Sequence, residues 1–127
     1  METKDLIIRE TEFSDLEYFY PWERMPEVTE FFSIPKNQSR EALYEKYFCD
    51  KADPSAAQFT ILLKQELEPV PIGRVVLADI IEGWKAEVWR IYIADPALRG
   101  KGYGRQVLTA VTRYCFEELD LQRMYFD

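Results

Sequence analysis

The residues best suited to chemistry lie together in the string Ile93-Ala94-Asp95-Pro96-Ala97-Leu98-Arg99-Gly100-Lys101-Gly102-Tyr103-Gly104-Arg105. Gly100, Gly102 and Gly104 alternate among the cations Arg99, Lys101 and Arg105, in a chain whose formal net charge is -7. A strand pattern precedes the string and a helix pattern follows it. The first turn of a helix exposes unpaired N–H groups and the positive end of the macrodipole. Glycines there let the backbone approach an anion closely, and a diphosphate fits such a site. Two common phosphate motifs fail on spacing. No G-x-x-x-x-G-K-[ST] string exists, and G-x-G-x-x-G fails because the sixth place is Arg105 counted from Gly100 and Val107 counted from Gly102. What remains is Arg99-x-x-Gly102-x-Gly104.

Other chemistries are excluded by residue type. The chain has no histidine, which removes Ser-His-Asp and Cys-His catalysis and every His-ligated metal site. Its two cysteines, Cys49 and Cys115, are isolated, so they make no thiolate zinc site and no metal is expected. Both read as buried free thiols in a reducing compartment. Acid–base work falls to carboxylates, Tyr, Lys, Cys, water or the backbone. The negative charge disfavours nucleic acid, which is bound through Lys and Arg contacts to phosphates, and it is compatible with a cationic amine. No apolar run reaches the roughly 18 residues that span a bilayer. The start, Met1-Glu2-Thr3-Lys4-Asp5, lacks the features of a signal peptide, so a cytoplasmic protein that binds neither membrane nor nucleic acid is expected.

Periodicity supplies the elements that position the loop. Lys4 to Arg9 reads as a strand. Ser14 followed by Glu17 suggests a capping box for a helix near 14–20, ended by Pro21. Trp22 to Gln38 reads as irregular, with at most a short helical turn. Ser39 to Asp50 is a helix with Leu43 and Tyr47 on one face and Phe48 beside them. Strands follow over Ala57 to Lys64, Ile72 to Ile81 and Lys85 to Ala94, the last two joined by the hairpin signal Glu82-Gly83. In the last of these, alternation sends Trp89, Ile91 and Ile93 one way and Val88, Arg90 and Tyr92 the other. A helix from Gly102 to Glu118 carries the stripe Val107, Val111 and Tyr114, and a final strand runs from Gln122 to Phe126. The order β-α-α-β-β-β-α-β implies an α+β fold: an antiparallel meander plus one parallel crossover, with helices on a mixed sheet. At 127 residues the chain reads as one domain, 1–127.

The pattern Arg99-x-x-Gly102-x-Gly104, introduced by Asp95-Pro96, resembles the coenzyme A-binding motif [QR]-x-x-G-x-[GA] of the GNAT N-acetyltransferase superfamily, which also lies between the fourth strand and the third helix. Ile8-Arg9-Glu10 followed by Ser14-Asp15-Leu16 is similar to the opening of that family, and the branch it looks closest to acetylates ribosomal-protein N-termini, polyamines and small amines. The resemblance implies an acetyl-CoA-dependent N-acetyltransferase acting on a primary amine, small molecule or protein N-terminus, by direct attack. It implies that N–H groups from Arg99, Gly100, Lys101, Gly102, Tyr103 and Gly104, with the Arg105 side chain, meet the pyrophosphate. Ile91, Tyr92 and Ile93 would pair with the pantetheine amides as an added strand. A backbone N–H near Ile91 and Tyr92 would polarise the thioester. Glu87 is where relatives carry an acid that deprotonates the amine. Trp22, Glu23, Phe31 and Phe32 lie in the segment that forms the acceptor wall, with core packing the other reading of the phenylalanines. Arg90 departs from the small or apolar residue expected in mid-strand, and pairing with Glu87 or Asp79, or substrate contact, are its candidate roles.

A complete domain of this family continues past the fifth strand to a fourth helix and two more strands. Against that pattern the chain reads as an incomplete domain lacking that helix and those strands, together with the Tyr or Ser that protonates the departing thiolate. The third helix would then expose apolar surface. Three expectations follow: a fragment of a longer enzyme, a homodimer that completes the sheet, or a non-catalytic acyl-CoA-binding or interaction module on the same fold.

Overall fold

The chain folds as β1 (Leu6–Glu10), α1 (Leu16–Trp22), α2 (Pro26–Thr29), α3 (Arg40–Ala52), β2 (Ala57–Leu63), β3 (Val70–Ile81), β4 (Lys85–Ile93), α4 (Tyr103–Arg113) and β5 (Arg123–Phe126). The computed structural model describes residues 1–30, 34 and 37–126, so Phe31 and Phe32 lie outside the described residues. The five strands form one sheet in the order β1-β2-β3-β4-β5. The first three pairings are antiparallel and β4 pairs β5 in parallel, with α4 as the crossover. This is the α+β arrangement that the element order implies. The hairpin joining β3 to β4 turns at Gly83, whose φ of 79° suits glycine.

The helix starts follow local signals in α3 and depart from them in α1. Ser39 caps α3 by accepting the Ala42 N–H at 3.1 Å, as a serine before a periodic run should. The box expected at Ser14 and Glu17 instead lies two residues earlier, between Glu12 and Asp15. Asp15 accepts the Glu12 N–H at 2.9 Å, while Glu17 reaches across to Arg40 and Tyr44. Pro21 was expected to end α1 but lies inside it, and the helix runs only to Trp22. Lacking an N–H, Pro21 weakens the final turn without preventing it. Within α3 the buried residues are Leu43, Tyr47 and Asp50. Cys49 lies off that stripe and is exposed, correcting the expectation of two buried thiols; only Cys115 is buried.

The two faces of the sheet differ in kind. Toward α4, Leu6, Ile8, Ile61, Val75, Leu77, Ala86 and Val88 pack with Val107, Val111 and Cys115 in one apolar core. On the other face, under α1 and α3, the sheet buries Gln58, Thr60, Arg74 and Arg90. A bulge in β4 sets this division. Val76 pairs Arg90 while Leu77 pairs Val88, leaving Trp89 as the extra residue. Strict alternation would have put Val88 opposite Ile91 and Ile93, and the bulge returns all three to the α4 core. Trp89 instead lies under two cations, Lys46 at 4.7 Å and Arg90 at 4.1 Å from its ring centroid.

Past Arg113 the α4 helix continues as a wider turn, Tyr114–Glu118. Its outer face exposes Leu108 and Phe116. Among the described residues no helix is long and apolar enough to cross a membrane.

Candidate functional site

The glycine loop is built from β4 outward. Asp95 turns the chain by accepting the Ala97 N–H at 2.9 Å, and Pro96–Leu98 form one tight turn. Leu98 tucks against the core beside Ile91, Ile93 and Tyr103. Gly100 and Gly102 then take φ of 81° and 83°, a left-handed backbone that only glycine enters without strain. Gly102 is the residue before α4, and no side chain caps that helix end. Its first N–H groups are therefore not taken up by a capping side chain. The first turn is fixed from behind by Gln106, whose amide donates to Asp5 at 2.7 Å and accepts from the Asp5 N–H at 3.2 Å. Arg99, Lys101 and Arg105 are exposed around the same end.

Gly104 differs from the other two glycines. It lies within the helix, it has no positive φ, and a Cβ built on it meets nothing within 4 Å. The space around it gives no reason for glycine there, and glycine is a weaker helix former than alanine. A ligand that must approach the backbone supplies a reason.

One cavity, of about 420 Å3, brings the loop and the strand together: it is lined by Glu27, Ile91, Tyr92, Ile93, Leu98, Arg99, Gly100 and Gly104. Lys101, Gly102, Tyr103 and Arg105 flank it on the loop and the helix start. The backbone directions along β4 distinguish the three strand residues. Ala94 donates its N–H to the Ile72 carbonyl at 2.9 Å, and the Tyr92 carbonyl presses against Gly73, where an added Cβ would sit 2.1 Å from it. Even-numbered peptide groups therefore face β3. The N–H and C=O groups of Ile91 and Ile93 face the opposite side, where β5 is paired only as far as Val88 with Phe126 among the described residues. Tyr92, expected to pair through its backbone, is turned toward β3 instead.

Glu87 is not part of this cavity. It lines a separate one with Asp79, Lys85, Ala86 and Tyr125, and it lies opposite Tyr125 in the β4–β5 ladder. Trp22 is half-buried and packs on Phe19 and, edge to face at 6.3 Å, on Tyr92.

Glu23, expected on an acceptor wall, is fully buried. Its Oε1 accepts from Arg90 at 2.6 Å and from Gln38 at 3.3 Å. Its Oε2 accepts from Arg74 at 2.6 Å and from the Tyr92 hydroxyl at 2.7 Å. This corrects the expectation of substrate contact: a carboxylate with every acceptor direction filled and no exposed surface has nothing left to offer a substrate. It also supplies the partner of Arg90. Arg74 was not singled out from the sequence; an arginine inside the apolar run Ile72–Ala78 was the available signal. Burial alone would raise the Glu23 carboxyl, but the guanidiniums of Arg74 and Arg90 and the Tyr92 hydroxyl outweigh it and hold the group below its usual range. Burial, and then the facing Glu23 charge, push the Tyr92 phenol well above its ordinary value.

The chain belongs to the family described as the acetyltransferase (GNAT) domain, whose profile matches residues 5–127. A relative described as an uncharacterized N-acetyltransferase, YnaD, from Bacillus subtilis (strain 168) is 26% identical over 122 residues, covering 96% of this chain and 68% of its own. Among solved structures, the spermidine N-acetyltransferase of Vibrio cholerae in complex with CoA and spermine superposes with a TM-score of 0.85 at 25% identity, over 98% of this chain and 71% of that one. A dodecameric form of the Vibrio cholerae enzyme gives 0.75 at 26% identity, over 98% and 70%. A domain from Methanocaldococcus jannaschii DSM 2661, 22% identical with a TM-score of 0.74 over 87% of this chain and 69% of that one, shares the fold.

Proposed function

We propose that this chain binds acetyl-CoA with its diphosphate on the first turn of α4 and transfers the acetyl group to a primary amine. The observation that carries the reading is Gly104, a helical glycine that the fold does not require, lining the cavity shared by the loop and β4. The N–H groups of the first turn, with Arg99, Lys101 and Arg105 around them, suit a diphosphate. The outward N–H and C=O groups of Ile91 and Ile93 suit the amides of pantetheine, which would lie along β4 as an added strand.

In this reading the amine nitrogen attacks the thioester carbonyl carbon, the new C–N bond forms and the C–S bond breaks. A proton leaves the amine and one is delivered to the departing thiolate, releasing CoA as the free thiol. Positioning and an N–H directed at the developing oxyanion supply most of the acceleration. Glu87 shares its face of β4 with Arg90 and Tyr92 and is the proposed base, acting through water because it does not line the cofactor cavity. The spermidine enzyme among the structural neighbours supports a polyamine or another primary amine as acceptor, and its dodecameric form supports self-association.

A second reading, an acyl-CoA-binding module without turnover, is favoured by the separation of Glu87 from the cofactor cavity. Both readings predict that Gly104→Val folds and loses affinity for acetyl-CoA, because a Cβ there meets none of the described protein atoms within 4 Å and points into the space a ligand would fill. Calorimetric titration with acetyl-CoA decides, and unchanged affinity overturns both. Thiol release from acetyl-CoA with a panel of amines then separates enzyme from binder.

A further inference from the structure

The buried cluster around Glu23 is expensive as a source of stability. Arg74 and Glu23 are fully buried and Arg90 is 5% exposed, and removing each ion from water costs several kcal/mol even after relaxation. Two guanidiniums share one carboxylate, and among the described residues the buried Arg74 Nε finds no hydrogen-bond partner. Apolar residues of equal volume would serve stability as well or better. What the ions supply is geometry.

That geometry converges on Tyr92. Glu23 closes α1, donating its N–H to the Phe19 carbonyl at 2.8 Å. Its side chain then ties together β3 through Arg74, β4 through Arg90 and Tyr92, and the segment before α3 through Gln38. Arg74 is itself held by Gln58 at 3.0 Å, and Gln58 donates to the Tyr47 carbonyl of α3 at 3.1 Å. Tyr92 is thus fixed at two points, by its hydroxyl on Glu23 and by its carbonyl against Gly73. Its neighbours Ile91 and Ile93 carry the peptide groups that face the cofactor cavity.

We propose that Glu23, clamped between Arg74 and Arg90, is a positioning residue that acts through the Tyr92 hydroxyl to hold the Ile91–Ile93 backbone where an extended amide-bearing ligand can pair with it. The proposal rests on the cofactor reading given above. It makes the end of α1 and the cofactor edge of β4 one rigid unit, so that anything displacing the first displaces the second.

The test uses calorimetric titration of the full chain with two ligands. Coenzyme A spans both the loop and the strand, and adenosine 3′,5′-bisphosphate carries phosphates without pantetheine. Tyr92→Phe removes only the hydroxyl. It is expected to weaken coenzyme A about tenfold, because a loosened strand must be re-ordered on binding, with the bisphosphate affinity unchanged. Glu23→Gln should show the same selective loss, and the double variant should lose no more than either alone. In acetyl transfer, kcat/KM for acetyl-CoA should fall at least as far as the affinity, because the same backbone carries the N–H that polarises the thioester. A Tyr92→Phe protein that binds coenzyme A as tightly as the wild type overturns the positioning role, whatever happens to its melting temperature. So does a loss shared equally by both ligands. Failure of the wild type to bind coenzyme A overturns the cofactor reading itself. If Glu23→Gln does not fold, Tyr92→Phe with its two ligands still decides.

Discussion

The face of the sheet under α4 and the face under α1 and α3 solve the same burial problem with different materials. The first uses Leu, Ile, Val, Ala and Cys in a continuous apolar core. The second inserts Arg74, Arg90 and Glu23 among aromatics, with the Arg74 guanidinium 4.7 Å from the Phe19 ring centroid. Nearby, Asp15 is held by Arg9 and Thr60. An apolar core tolerates repacking as long as volume and pattern are kept. A charged network allows few arrangements, because a lone pair or proton left unmet is costly. The face that sets the distance between α1 and β4 is the one built from the less forgiving material.

The sharpest way to break this contrast is Glu23→Ala. Leaving two buried guanidiniums without a counter-charge should cost about 3–5 kcal/mol, measured by urea unfolding. Replacing Glu23, Arg74 and Arg90 together by Leu or Met should cost less than Glu23→Ala, because no buried charge is left without its partner, while coenzyme A affinity stays low. A triple variant that binds normally would mean that the ions position nothing. On the other face, Leu77→Ala should cost about 2–5 kcal/mol while leaving the coenzyme A affinity of the folded protein intact.

Acid should also distinguish the faces. Asp15 is partly desolvated, which raises its pKa, but Arg9, the Glu12 N–H and Thr60 more than offset this, and its folded value is depressed. Glu23 is depressed as well. A depressed carboxyl contributes stability that is present above its unfolded pKa and lost as pH falls through the folded value. Melting temperatures should therefore fall on descending from pH 5 toward pH 2. The fall should be smaller in the Glu23, Arg74 and Arg90 triple variant.

The smallest effect concerns the thiols. Burial pushes the Cys115 thiol up to about 11, whereas Cys49 is exposed. Iodoacetamide at neutral pH should label Cys49 and spare Cys115, as peptide mass mapping would show.

The glycine loop was legible in the sequence because everything that shapes it is local. Asp95-Pro96 makes the turn, Gly100 and Gly102 supply left-handed backbone, and the stripe of Val107 and Val111 announces the helix. The Glu23 network was not legible in the same way. Three of its four partners lie 51, 67 and 69 residues away in the chain, and proximity in sequence suggested Glu87 or Asp79 for Arg90. The available clue was chemical: an arginine in mid-strand must find a carboxylate, and two such arginines, Arg74 and Arg90, needed one between them. The bulge at Trp89 was equally hidden, because an extra residue leaves no mark on composition and changes only which positions share a face. Position along the chain made Glu87 a candidate base, but it could not reveal that Glu87 opens into its own cavity beside Tyr125.

Ile91 and Ile93 divide their duties atom by atom: their side chains fill the core against α4, and their peptide groups face the cavity. Under the proposed cofactor reading, side chains there can drift among apolar types of similar volume without altering how the ligand pairs with the strand. The sensitive chemical unit at these positions is the amide, which no codon change short of proline can remove. Replacing either amide by an ester through chemical synthesis would reach it directly, and a family using this strand could keep its ligand while its sequence diverges widely.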